Sequence, residues 1–385
     1  MKKCLLLFLF CFSAVVNAQE RALYHEEFDI NSTGIFLPVE IDGKECRFLF
    51  DTGASLVVLD RRFRYLLGKP LSLHEAEAST GIRFKNREII TPNGELSLEM
   101  YKAIPLKLGR LQIANRFPYI VADLHSLWPF SGVEFCGILG TAFLNQFRWE
   151  IDFKKGFVKG YIGAEPYGGE YRSQTPIFWS AAGIPQVGVS LSGEKLAFDI
   201  DTGDNGSGRL SKRDTDFLKK KDLILKSRKQ EVVTVSALSE SEEHRLKQLG
   251  FAGVAYPGIV MQESRQNALG LAFFKRHNIV LDFPFNMLYL QHHEEYAALQ
   301  EVDKSGVRII LKEKKLIVFS IDPLEGALVK GLRKGDEIIS VNTKRVSLYQ
   351  MRKLLRAKEG TALFLEIRRK KAILQASIVL GPDPL

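Results

Sequence analysis

The sequence predicts a mostly β protein made of two homologous halves, followed by a smaller β module of a different pattern. Three observations carry this prediction. The stretch Phe50-Asp51-Thr52-Gly53-Ala54-Ser55 has a near-copy at Ile200-Asp201-Thr202-Gly203-Asp204. A second stretch, 140–153, aligns without a gap on 270–283, with Gly140/Gly270, Ala142/Ala272, Phe143/Phe273, Asp152/Asp282 and Phe153/Phe283 in register. The repeat then stops, and from Val302 a new succession of apolar runs and turns begins. An internal repeat of this kind marks duplicated structural units. The halves are read as 24–162 and 177–291, joined by a linker at 163–176 rich in Gly, Tyr and Glu, with the module at 302–381.

The first half opens on alternating residues from Phe36 to Ile41, a turn at Asp42-Gly43, and a second run from Cys46 to Phe50, the signature of a β-hairpin leading into Asp51. Leu56 to Leu59 is apolar, and Asp60 is a good cap for a helix from Arg61 to Leu67. The second half repeats the plan: Leu196 to Ile200 leads into Asp201, and Ser211 caps a helix from Lys212 to Lys221. One extra residue separates the aspartate from the cap in this copy. In the module, strands are expected at Val307 to Leu311, Leu316 to Ile321, Glu337 to Val341, Ala362 to Arg368 and Ile373 to Val379. Helices are expected from Gly326 to about Gly331 and, capped by Ser347, from Leu348 to Ala357.

Composition narrows the function classes. The chain has 385 residues, 45% of them apolar, and a formal charge of +9. The basic residues are dispersed among many acids. The runs Lys219-Lys220-Lys221 and Arg368-Arg369-Lys370-Lys371 read as a solvated helix face and a protected strand edge, so no nucleic-acid partner is expected. Lys2 and Lys3, an apolar run from Leu5 to Val16 and the small-residue pattern Val16-Asn17-Ala18 form an export signal cut after Ala18, too short to span a bilayer. Periplasmic or secreted localisation follows as an expectation, with no transmembrane segment afterwards. Without Lys2 and Lys3 the formal charge is about +7. Cys46 and Cys136 then remain, either as a disulfide or as two buried thiols.

Asp-Thr-Gly at the end of a β-strand, present twice, carries the chemistry. Gly permits a tight turn, and the Thr hydroxyl locks the neighbouring loop. Two carboxylates brought into contact do not both ionise, so they act as one coupled acid–base unit. The charged member takes a proton from water, the water attacks a peptide carbonyl, and the protonated member polarises the carbonyl oxygen. No cofactor and no metal are required.

Phe50 to Ser55 together with Ile138-Leu139-Gly140 resembles the pepsin and retropepsin superfamily of aspartic peptidases, and Ala268-Leu269-Gly270 supplies the same apolar-apolar-Gly element in the second half. The chain resembles bacterial exported proteins of this kind, which often end in a PDZ domain. The resemblance implies a bilobal unit of two retropepsin-like β-barrel lobes, with Asp51 and Asp201 catalytic and Thr52, Gly53, Ser55, Thr202, Gly203, Asp204, Gly140 and Gly270 in support. It implies an endopeptidase acting on a peptide or protein substrate in a cleft covered by hairpin flaps. A single chain supplies both aspartates, so activity as a monomer is expected. Flap candidates lie between Ser79 and Tyr101, with turns at Thr80-Gly81 and Pro92-Asn93-Gly94. Tyr101 is either the flap tyrosine or an ordinary core residue.

The second half departs from the family pattern. The family places a Ser or Thr donor just after the Gly; Ser55 fits in the first half, whereas Asp204 and Asn205 stand there in the second. Asn205 and Ser207 are candidate substitutes. Asp204 is either a third carboxylate near the pair, raising its apparent pKa values and the working pH, or an outward-pointing cap of the following turn. A protein that binds peptides with little or no catalysis is the alternative this leaves open.

The run from Gly326 to Asn342, with Gly331-Leu332-Arg333-Lys334-Gly335-Asp336-Glu337-Ile338, resembles a PDZ domain. The family implies that a peptide partner adds as a strand beside Leu316 to Ile321, opposite the helix from Leu348. The family's carboxylate-binding loop is absent; Glu313-Lys314-Lys315-Leu316 stands near its position. Seven histidines show no metal-ligand spacing, with His292-His293 expected at the surface, and no serine, cysteine or phosphate-binding motif occurs.

Overall fold

A computed structural model describes residues 22–80, 88–91, 94–97, 99–112, 117–163, 165–171, 173–233 and 238–385. The segment expected to be an export signal and parts of the expected flap region, including Gly81, Pro92 and Asn93, lie outside them.

The two copies of the Asp-Thr-Gly stretch sit in equivalent pairings. Strand Lys44–Phe50 runs antiparallel to Phe36–Ile41 on one side and parallel to Gly137–Leu139 on the other, with Phe50 opposite Leu139. In the second copy, Glu194–Asp201 lies antiparallel to Pro185–Leu191 and parallel to Ala268–Gly270, with Ile200 opposite Leu269. Each short apolar strand also pairs antiparallel with the strand that follows the motif, Val58–Asp60 or Gly208–Ser211. Alternation fixes which side chains face inward: Leu37, Val39, Phe48 and Phe50 are buried, as are Val187, Val189, Phe198 and Ile200.

The second repeat explains itself in a six-stranded sheet, ordered Tyr24–Glu27, Phe157–Tyr161, Arg148–Asp152, His277–Asp282, Met287–His292, Ser173–Pro176. Its central strands are the ends of the two repeated stretches, and they pair antiparallel, Arg148 opposite Asp282. The sheet joins both halves, and a single apolar core runs from Tyr24 to Leu290. Ser173–Pro176, expected within the linker, is instead an edge strand of this sheet, held on Met287–His292.

The expected helices after each motif form with their caps. Asp60 Oδ1 accepts from Arg62 N at 3.2 Å, although the turn Arg61–Leu66 is 3₁₀. Ser211 Oγ accepts from Asp214 N at the start of Lys212–Lys220. A two-stranded ribbon, Glu88–Thr91 with Gly94–Ser97, stands apart from the other sheets. The second half extends a longer hairpin, Ile224–Val233 with Leu238–Leu246.

Residues after Val302 form a separate six-stranded sheet with its own core, including Val318, Ile338, Met351, Leu363 and Leu365. Two expectations change here. The segment after Gly326 is a strand, Leu328–Lys330, paired with Ala372–Val379. Gly326 and Gly331 both adopt φ of 75°, so the intervening run is too short for a helix and completes the sheet instead. Among the described residues, this unit contains one helix, Leu348–Leu354, capped by Ser347 and Gln350 in a capping box. Lys315–Ile321, expected to offer an open edge, is internal: Val307–Lys312 pairs along it and Glu337–Val341 covers part of the other side. The sheet ends on Val307–Lys312 at one side, against which Trp128–Ser131 packs, and on Leu328–Lys330 at the other. Nearby, Arg352 donates from the capped helix to Phe130 O at 2.8 Å, and Phe130 meets Phe319 edge-to-face at 5.1 Å.

Candidate functional site

The loops that follow the two aspartate strands meet back to back. Thr52 and Thr202 are fully buried. Thr52 N donates to Thr202 Oγ1 at 3.1 Å and Thr202 N donates to Thr52 Oγ1 at 3.0 Å. The hydroxyls point onward into the opposite half, Thr52 Oγ1 to Ile200 O at 2.6 Å and Thr202 Oγ1 to Phe50 O at 2.8 Å. This reciprocal set ties each turn to the strand that carries the other aspartate.

The glycines allow the approach. A Cβ on Gly53 would run into the carboxyl of Asp201, and one on Gly203 into that of Asp51. Asp51 Oδ1 accepts from Gly53 N at 2.8 Å, and Asp201 Oδ1 accepts from Gly203 N at 3.1 Å and Asp204 N at 3.0 Å. Each carboxyl thus stands against the glycine of the opposite loop. Burial, reinforced by the neighbouring Asp201 charge, pushes the Asp51 carboxyl up to about 8, with the Gly53 amide and Arg209 pulling the other way. Beneath the loops, Gly140 and Gly270 lie against the carbonyls of Ala54 and Leu56 and of Asp204 and Gly206, leaving no room for a side chain.

The hydroxyl donors expected after each glycine are not at their posts. Ser55 is half-buried, and among the described residues its hydroxyl makes no bond to Asp51; its carbonyl accepts from Ala142 N at 2.9 Å. Ser207 Oγ donates to Gln300 at 2.7 Å, and Asn205 is exposed. Asp204 does not point outward. Its side chain is 14% exposed, one oxygen accepting from Gly206 N at 2.8 Å and the other meeting Arg209 at 3.2 Å. It therefore caps the turn and stands beside the pair at once. Burial lifts its carboxyl above the ordinary range against the pull of Arg209.

Arg209 was not among the expected site residues. It is 7% exposed, and its NH2 group donates to Asp201 Oδ2 at 2.5 Å while NH1 reaches Asp204. Arg209 pairs with Ala268, where the first half pairs Val58 with Ile138. An apolar pair in one copy is thus an Arg–Ala pair in the other, and this exchange was the available signal. Behind Asp201, Asp199 accepts from Gln186 at 2.8 Å, and burial raises its carboxyl.

Other expected residues find different settings. Tyr101 is a core residue, 1% exposed, and donates to Glu99 at 2.6 Å. Cys46 and Cys136 form a disulfide, Cα to Cα 6.0 Å, with Cys46 on the strand Lys44–Phe50 that leads into Asp51. His292 and His293 are half-buried rather than at the surface, contacting Ser173 and Asn278. Among the described residues, Glu242, His244 and Glu263 gather metal-type ligands, but ammonium groups already serve the carboxylates: Lys219 lies 2.9 Å from Glu242 and Lys212 3.8 Å from Glu263. Among the described residues, no helix is long and apolar enough to cross a membrane.

Residues 37–143 match a family model described as aspartyl protease, which takes in Asp51, Gly140 and the strands between them. No curated protein matches the chain. The family match and the β-rich architecture support an aspartyl protease of retropepsin type.

Proposed function

We propose that this chain is an aspartic endopeptidase in which Asp51 and Asp201, one from each half, form a single catalytic pair. The observation that carries the reading is the reciprocal Thr52–Thr202 bonding, which ties together the strand ends bearing the half-buried Asp51 and the buried Asp201. The ionised carboxylate takes a proton from a water, whose oxygen bonds to the scissile carbonyl carbon. The protonated carboxyl gives its proton to the carbonyl oxygen, producing a neutral gem-diol. Collapse breaks the C–N bond: the amine leaves with the proton first taken from water, one gem-diol hydroxyl returns its proton to the other carboxylate, and the pair is back in its starting state. A shared proton makes the pair competent while one member is ionised and the other is not.

In this reading the two halves act as lobes around a cleft, the ribbon Glu88–Thr91/Gly94–Ser97 and the hairpin Ile224–Val233/Leu238–Leu246 serve as covers, and the substrates are exported proteins or peptides. The C-terminal sheet acts as a PDZ-like unit for a peptide, and the export signal ends at Ala18. A monomer suffices.

The test is incubation of the chain lacking residues 1–18 with a peptide library between pH 3 and 8, read by mass spectrometry. Internal cuts, each placing one solvent oxygen-18 in the new carboxyl, support the proposal. Trimming confined to peptide ends, or cuts indifferent to Asp51→Asn, defeat it. One observation favours a second reading, a peptide-binding protein with little catalysis: the Arg209 guanidinium already engages Asp201. Tight peptide binding without cleavage across the same pH range identifies that case.

A further inference from the structure

The second half lacks a hydroxyl donor for its aspartate and has a buried cation there instead. We propose that Arg209 is the positioning residue of the pair: it replaces the missing hydroxyl, holds the negative charge on Asp201, and so leaves Asp51 as the member that carries the proton. The proposal rests on the peptidase reading above for its catalytic meaning and on the site geometry alone for its charge assignment.

Three features lead to it. The donors are unequally divided. Asp201 accepts from Gly203 N, Asp204 N and Arg209, whereas Asp51 accepts from Gly53 N. A carboxyl surrounded by donors, one of them a cation, is the natural seat of the charge. The guanidinium is also held on two prongs, Asp201 and Asp204, in a site where its side chain is 9% exposed. Lys has no such fork. Finally, the second half adds its cation together with an anion. Arg209 faces Asp51, Asp199, Asp201 and Asp204. Asp204 offsets the added cation, so the pair keeps the single net negative charge that monoprotonated catalysis needs. Asp204 and Arg209 thus form a compensated exchange for the hydroxyl, made possible where Ala268 stands in for Ile138.

The test uses Arg209→Lys, Arg209→Val and the double variant Arg209→Val/Asp204→Ser, each shown by thermal melting to be folded. Without substrate, carbon-13 spectra of the Asp carboxyls, assigned through Asp51→Asn and Asp201→Asn, report which carboxyl holds the proton at pH 6. The expected result is a protonated Asp51 and an ionised Asp201, an asymmetry that Arg209→Val abolishes and Arg209→Lys keeps. With substrate, Arg209→Val is expected to lower kcat/KM by about 10²-fold or more at pH 7. Removing Asp204 as well is expected to restore about tenfold and to move the pH profile toward acid. A proton found on Asp201 overturns the inference even if cleavage is vigorous. So does a folded Arg209→Val with unchanged spectra and pH limbs. If the wild type cleaves nothing but the asymmetry is present, the peptidase reading falls and the charge assignment stands.

Discussion

Thr52 and Thr202 bind each other symmetrically, each amide donating to the other's hydroxyl at 3.1 and 3.0 Å across a sequence separation of 150 residues. Each threonine thereby becomes part of the other half's aspartate loop, and the geometry of the carboxyl pair depends on both.

Replacing either hydroxyl by a methyl leaves buried groups without partners. For Thr52→Val these are Thr202 N and Ile200 O. Urea unfolding should show a loss of about 2–4 kcal/mol for Thr52→Val and Thr202→Val, against less than about 1 kcal/mol for Thr52→Ser, which keeps the hydroxyl.

The Asp51 carboxyl makes a signed prediction about pH. The folded protein holds this proton up to about 8, whereas an unfolded chain releases it near pH 3.9. Between those values the folded state binds the extra proton, so the contribution of Asp51 to stability falls as pH rises. Asp51→Asn removes the group. Its melting temperature should exceed that of the wild type at pH 7, with the gap opening from about pH 4 upward. Parallel melting curves across that range would refute this.

The disulfide closes a long loop, Cys46 and Cys136 being 90 positions apart in the sequence. Cross-links of this span stabilise chiefly by restricting the unfolded chain. Cys46→Ala/Cys136→Ala should cost about 3–5 kcal/mol, and reductant should lower the wild-type melting temperature toward that of the variant.

Arg352 joins the C-terminal unit to residues that precede the strand Gly137–Leu139. It donates to Phe130 O at 2.8 Å, and burial lowers its guanidinium to about 10, still charged at neutral pH. Arg352→Ala should speed amide exchange across residues 125–135 by about tenfold or more, with exchange in the core strand Ala362–Arg369 unchanged.

Much of this was legible before any coordinates. Strand, turn and cap residues act locally, so the hairpin into Asp51, the cap at Ser211 and the register of the two repeats were readable from residue types. What escaped reading depends on partners distant in the chain. Arg209 in Gly-Arg-Leu-Ser reads as an ordinary polar strand residue until Ala268 is placed beside it. The segment after Gly326 reads as a helix start until Ala372–Val379 provides an edge. Likewise, nothing in Lys315–Ile321 itself says that Val307–Lys312 fills one of its edges and Glu337–Val341 part of the other.

The most direct test of the central claim is kcat/KM for one internal peptide bond, measured from pH 3 to 8 for wild type, Asp51→Asn and Asp201→Asn. A single coupled pair predicts a loss on the order of 10³-fold or more in each variant and a double loss no larger than either alone. It also predicts a wild-type alkaline limb near the value of about 8 at which Asp51 gives up its proton. Cleavage that survives either substitution, or losses that multiply in the double variant, would contradict it.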